Sequence, residues 1–176
     1  CGLYQGKRAD TYERNLNFAY DVRSVDAVIL SHAHIDHAGN LPNLVKQGYE
    51  GLIFATHATV ELASLMILDS AHIQESDAQF VTKKRAHHGD PPIEPLYTTE
   101  AAEDVVTMFK GMDYGEAFEP APGVVARLYE AGHILGSAGV SLEIEEKGKK
   151  IRLWFSGDIG RYRMPLLRDP VLPEEV

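Results

Sequence analysis

Apolar positions along this chain come in short blocks whose spacing changes from period two to period three or four. Residues 25–30 form a β-rich apolar run, which predicts a buried strand, and residues 51–55 form another. Between them, Gly39-Asn-Leu-Pro42 opens a helix, with Pro42 tolerated in its first turn and Gly48 as its C-terminal cap. Thr56 or Thr59 can cap a long helix whose apolar positions Val60, Ala63, Leu65, Met66, Leu68 and Ile73 predict one buried face. Residues 83–95 are polar and broken by Gly89, Pro91 and Pro92, so a loop is expected there. Thr99-Glu-Ala-Ala-Glu103 reads as a helix start, with the helix running to about Lys110. Residues 124–129 read as a strand. Val140, Leu142 and Ile144 alternate, turn at Lys147-Gly-Lys149, and return as Ile151, Leu153 and Phe155, which predicts a hairpin. Trp154 and Phe155 read as core. Residues 7–20 are mixed and polar, a loop with a short helix.

Composition narrows the class. The chain has 176 residues and is 44% hydrophobic, enough for one domain with a real core. A net charge of −9 argues against a polyanion-binding surface over the whole chain. It leaves room for a nuclease, because bound cations supply local positive charge. The single cysteine, Cys1, permits no internal disulfide and fits a reducing cytoplasm. No signal peptide and no membrane-length apolar stretch is visible. The opening Cys1-Gly-Leu-Tyr-Gln-Gly6 reads as the exit of a strand, and no closing element precedes Val176. The expectation is therefore a segment of a longer protein, residues 1–176 being a partial domain.

The chemistry concentrates in His32-Ala-His-Ile-Asp-His37, directly after the first apolar run. Every histidine and carboxylate in it is a ligand for a borderline metal such as zinc. Side chains alternate in extended backbone, so His32 and His34 can grip one cation together. Asp36 and His37 follow where the chain turns and can face a second. His133, between glycines in Ala131-Gly-His-Ile-Leu-Gly-Ser137, is the candidate third histidine for the first metal. Asp158, in Phe155-Ser-Gly-Asp-Ile-Gly160, reads either as a turn aspartate or as a carboxylate bridging two cations, one oxygen to each; the bridge is the expectation.

The histidine cluster, Gly132-His-Ile-Leu-Gly-Ser-Ala138 and Ser156-Gly-Asp158 occur in the order found in the metallo-β-lactamase superfamily. Asp36-His-Ala-Gly-Asn-Leu-Pro42, Thr56-His-Ala-Thr59, Asp69-Ser-Ala-His-Ile-Gln-Glu75, and Gly157-Asp-Ile-Gly-Arg161 followed by Pro165-Leu-Leu resemble its β-CASP branch of RNA-processing nucleases. The resemblance implies an α/β (α+β) fold, the αββα sandwich of that superfamily, truncated at both ends and without the β-CASP cap. It implies zinc in two sites of the longer protein, the second weakly occupied or empty in this segment. His32, His34 and His133 would hold the first metal, Asp36 and His37 the second, and Asp158 both. Asp36 would also orient the attacking water as general base.

The function that follows is metal-dependent hydrolysis of RNA phosphodiesters, in the cytoplasm. A further ligand of the second metal, a histidine near the leaving group and the cap would lie outside this chain, so the segment alone should cleave RNA poorly or not at all. The rivals are another hydrolase of the fold, acting on a thioester or on DNA, and a non-catalytic scaffold in an RNA-processing complex. His57 is expected to support packing or capping, His72 to be structural or to support a metal ligand from behind, and His87 and His88 to be solvated. The run Lys83-Lys-Arg85 reads as wet surface, with contact to substrate phosphates as a secondary idea.

Overall fold

The computed structural model describes residues 1–6, 8–86 and 91–172. His87, His88 and Gly89 lie outside them, as does the chain end. The elements run α1 (Arg8–Leu16), a single 3-10 turn (Val22–Ser24), β1 (Ala27–Ile29), α2 (Ile35–Ala38), α3 (Leu41–Lys46), β2 (Leu52–Thr56), α4 (His57–Ala86), α5 (Thr99–Met108), β3 (Phe109–Met112), β4 (Phe118–Ala121), β5 (Val124–Glu130), β6 (Ala138–Glu146) and β7 (Lys149–Phe155). They fall into two compact units. One comprises residues 1–24, 34–50 and 64–107; the other comprises 25–33, 51–63 and 108–176.

The first unit is helical. Its entry is fixed by Asn15, buried at the end of α1, whose side chain pairs with both the N–H and the carbonyl of Tyr4. The last carbonyls of a helix have no partner within it. Here the amides of Asn40 and Asn43 donate to Asn15 O, and Gln47 donates to Leu16 O at 2.6 Å. The Gly39-Asn-Leu-Pro string is thus a structural device that ties α3 to the end of α1. Gly48, at φ 101°, ends α3 as expected. The start of α5 is held by Glu75, whose carboxylate accepts Thr99 N–H at 3.0 Å and Thr99 Oγ1 at 2.8 Å. Those bonds, the backbone one first, hold the Glu75 carboxyl below its ordinary range.

Helix α4 departs from its sequence pattern in two ways. It continues through Lys83-Lys-Arg85, where a loop was expected; basic residues in a last turn offset the negative end of the helix dipole. Its buried line is Thr59, Ala63, Ile67, Ala71 and Ala78, whereas Leu65 and Ile73 are exposed. Most of these residues are small, which lets a neighbour approach closely, and a search for large apolar side chains passes over them.

The second unit holds both sheets. β1, β2 and β3 form a parallel sheet in that order, and β4, β5, β6 and β7 an antiparallel one. Phe54 and Met112 from the first pack with Phe118, Ala126, Leu128, Ala138 and Val140 from the second. Phe54 and Phe118 stack with ring centroids 4.9 Å apart at the centre of this core. The two-sheet sandwich and the mixed α/β class match the expected architecture; among the described residues no helix follows β7. Strands β3 and β4 are additions that the sequence pattern did not show. Pro120 is compatible with β4 because that strand is a sheet edge.

The predicted hairpin is β6–β7, with Val140, Leu142 and Ile144 paired to Phe155, Leu153 and Ile151. Lys147 and Gly148 both have positive φ, 51° and 73°, which closes a two-residue turn matching the twist of the strands. Phe155 is 59% exposed rather than core, because β7 is the outer strand of its sheet. Trp154 lies on the other face, close enough that a Cβ on Gly139 would meet its ring at 2.3 Å. Gly148→Ala should cost about 1 kcal/mol from left-handed backbone alone, since nothing lies within 4 Å of the added Cβ. Thermal denaturation of the variant checks this, and an unchanged midpoint would show that the turn carries no such strain.

Candidate metal centre

Three segments of the second unit meet at one end of the sandwich. The first leaves β1: Leu30 N–H continues the ladder to Phe54 O, and Ser31 O accepts Ala138 N–H at 2.8 Å. These bonds deliver His32, which is fully buried. The second is the loop between β5 and β6. Gly132 at φ 63° and Gly136 at φ 83° bend it, and Ser137 N–H closes it on Ile134 O. Ser137 Oγ accepts the N–H groups of His133 and Ile134 at 3.0 and 3.2 Å, so the His133 backbone is fixed from inside the loop. The third leaves β7 as Ser156-Gly-Asp158. Gly157 takes φ 55°, and a Cβ there would sit 3.0 Å from that of Ser31. Gly160 N–H donates to Ala131 O, which ties this segment to the His133 loop.

The side chains so delivered converge. Asp158 Oδ2 lies 4.0 Å from His32 Nε2 and 3.6 Å from His133 Nε2. The two imidazoles meet edge to face at 85°, with centroids 5.0 Å apart. One ligand atom from each of the three lies within 4.8 Å of the others. Donors on a tetrahedral zinc stand about 3.4 Å apart for bonds of about 2.0–2.1 Å, so the set is slightly open and of the right chemistry for that ion. Ser31 Oγ stands 3.1 Å from His32 Nδ1. A proton on Nδ1 donated to that hydroxyl leaves the Nε2 lone pair directed at Asp158, the usual arrangement behind a metal-bound imidazole. Asp158 keeps 45% of its side chain exposed, so the centre is open to solvent on that side.

The remaining ligand candidates, His34, Asp36 and His37, belong to the first unit. His34 is the N-cap residue of α2, with φ −56° and ψ 145° and no side-chain capping bond. Asp36 and His37 lie in that four-residue helix, where a bare turn was expected, and Asp36 Oδ2 is 3.9 Å from His37 Nε2. His57 is exposed, its Nε2 3.7 Å from Asp113 Oδ1 and its ring packed over Gly111, where a Cβ would meet Nδ1 at 2.3 Å. It takes no part in the cluster; the cap of α4 is Thr56, whose Oγ1 accepts Thr59 N–H. His72 is exposed on α4. Ser31, Ser137 and Gly160 were missed as site residues. Small polar residues and glycine beside a motif carry no signal in sequence until the loops they join are known.

The model of the metallo-beta-lactamase superfamily matches residues 10–171. The chain belongs to that superfamily. Among its relatives, "Ribonuclease TTHA0252" of Thermus thermophilus is 33% identical over 174 residues, 98% of this chain and 34% of that protein. "Transcription termination factor FttA" of Methanothermobacter thermautotrophicus is 37% identical over 127 residues, 71% of this chain and 18% of that protein. Its counterpart in Pyrococcus horikoshii is 36% identical over 130 residues, 72% and 18% of the two chains. The chain therefore spans about a third of the length of the Thermus relative and less than a fifth of these two archaeal ones. No helix among the described residues is long and apolar enough to cross a membrane.

Proposed function

We propose that residues 1–176 form part of the catalytic domain of a zinc-dependent hydrolase that cleaves RNA phosphodiesters. The observation that carries this reading is the single carboxylate oxygen of Asp158 facing Nε2 of both His32 and His133. Bound zinc would supply Lewis-acid polarisation and positive charge against the anionic transition state of phosphoryl transfer. His32 and His133 would hold the first zinc, and the His32-Ala-His34 spacing adds His34 as the third imidazole for the same metal. A second zinc would be held by Asp36 and His37, with Asp158 shared between the two metals. Asp36 also orients the attacking water and takes its proton at a carboxylate oxygen. The assignments of His34, Asp36 and His37 rest on their place in the motif and on the superfamily.

RNA as substrate is supported by the ribonuclease among the relatives; cations bound at the centre would offset the acidic chain locally. A cytoplasmic location is supported by the lone cysteine. The test places this chain beside the full-length product of its gene, both metal-loaded, with single-stranded RNA. At least one zinc per folded chain is expected by elemental analysis. Chelator-sensitive cleavage is expected from the full-length product, and weak cleavage or none from residues 1–176 alone. A folded chain that retains less than one metal removes the reading. Zinc binding without RNA cleavage by the full-length product moves the substrate to another class.

A further inference from the structure

Three hydroxyls converge on two consecutive carbonyls of the loop that carries His133. Thr56 Oγ1 donates to Gly136 O at 2.6 Å, and Thr59 Oγ1 donates to the same oxygen at 2.8 Å. Tyr114 Oη donates to the next carbonyl, Ser137 O, at 2.9 Å. The donors come from the end of β2, the first turn of α4 and the segment after β3. Thr56, Thr59 and Ser137 are buried. The residue between the hydroxyls must be glycine: at φ 83°, a Cβ on Gly136 would stand 2.6 Å from Thr59 N and 2.9 Å from Thr56 Oγ1.

We propose that Thr56, Thr59 and Tyr114 act as positioning residues for His133, a hydroxyl clamp that sets where its imidazole stands relative to His32 and Asp158. The inference rests on the metal reading above for its consequence. The connection is short. The clamp holds the 136–137 carbonyls, and Ser137 Oγ in turn accepts the His133 N–H.

Helix capping accounts for only part of this arrangement. Thr56 Oγ1 caps α4 with a lone pair, which leaves its proton for Gly136 O. One cap needs one threonine, yet Thr59 repeats the donation and Tyr114 comes from a different element. Two donors saturate the lone pairs of the Gly136 carbonyl. Burial, with the nearby Glu130 carboxylate adding to it, pushes the Tyr114 phenol far above its ordinary range, so it keeps the proton that it donates. Glu130 also accepts Gly132 N–H at 3.0 Å, securing the other end of the same loop.

The test uses Thr59→Val, Tyr114→Phe, the double variant and Thr59→Ser. Amide hydrogen exchange is read in metal-free protein, and zinc affinity by competition with a chromophoric chelator. In the double variant, exchange at His133 and Ser137 should rise at least about tenfold while Leu128 and Val140 stay as in wild type. Zinc affinity should fall by roughly 10- to 100-fold, the range for groups that orient a ligand. Thr59→Ser keeps the donor and should behave as wild type. Loop exchange within twofold of wild type overturns the clamp, as does an equal rise at Leu128 and Val140. Wild-type protein that takes up no zinc, with loop exchange responding as stated, refutes the metal reading and leaves the clamp supported.

Discussion

Asp158→Ala should weaken zinc binding by more than about 100-fold, beyond the roughly 10- to 100-fold that orienting groups contribute. His57→Ala should leave affinity within a factor of two. Asp158 Oδ2 is the atom that faces both buried-side imidazoles, at 4.0 and 3.6 Å. Without it, the imidazoles assigned to the first metal are left with no anion to offset a dication. His57 makes its own surface pair with Asp113 at 3.7 Å, with both side chains mostly exposed, and such pairs contribute little. Competition titrations of the two variants against wild type, with circular dichroism to verify folding, compare them directly. Equal losses of affinity in two folded variants would show that the carboxylate has been given the wrong role.

Gly160→Ala should be strongly destabilising, by about 3 kcal/mol or more, at the upper end of what overpacking costs. A Cβ there would lie 1.7 Å from Gly132 O, 2.2 Å from its carbon and 2.7 Å from His133 N. All three are backbone atoms, so no side chain can rotate away. The Asp158 segment must then separate from the His133 loop, breaking the bond from Gly160 N–H to Ala131 O and opening the centre. Urea unfolding of metal-free protein measures the cost, with Gly148→Ala as the contrasting case of strain without collision. A loss under about 1 kcal/mol would mean that the two segments have slack. The site would then be less rigid than its hydrogen bonds imply.

What could be read in advance follows from the range of the forces involved. Turn chemistry is local, so the β6–β7 hairpin was legible from Lys147-Gly148 between two alternating runs, and Gly48 from its place after α3. Ligand chemistry is also local, so the cluster from His32 to His37 stood out as having no cheap packing role, and His133 and Asp158 as candidates to complete it. Short elements failed for the same reason. Phe109-Lys-Gly-Met112 and Phe118-Glu-Pro-Ala121 are too brief to show a period, and they become strands only because β2 and β5 offer them partners. The extent of α4 and its alanine-lined face were decided by neighbours, as was the exposure of Phe155 on an outer strand.

The sequence by itself determined which residues are candidate metal ligands and which turns reverse the chain, because both depend on a few adjacent side chains. Only the tertiary structure decided how those residues are held. Thr56 and Thr59 reach Gly136 across 80 and 77 residues, and Gly160 rests on the backbone at Gly132. Contacts of that kind exist only after the sheets have packed, since a hydroxyl or a missing Cβ has no preferred partner until folding brings one within about 3 Å.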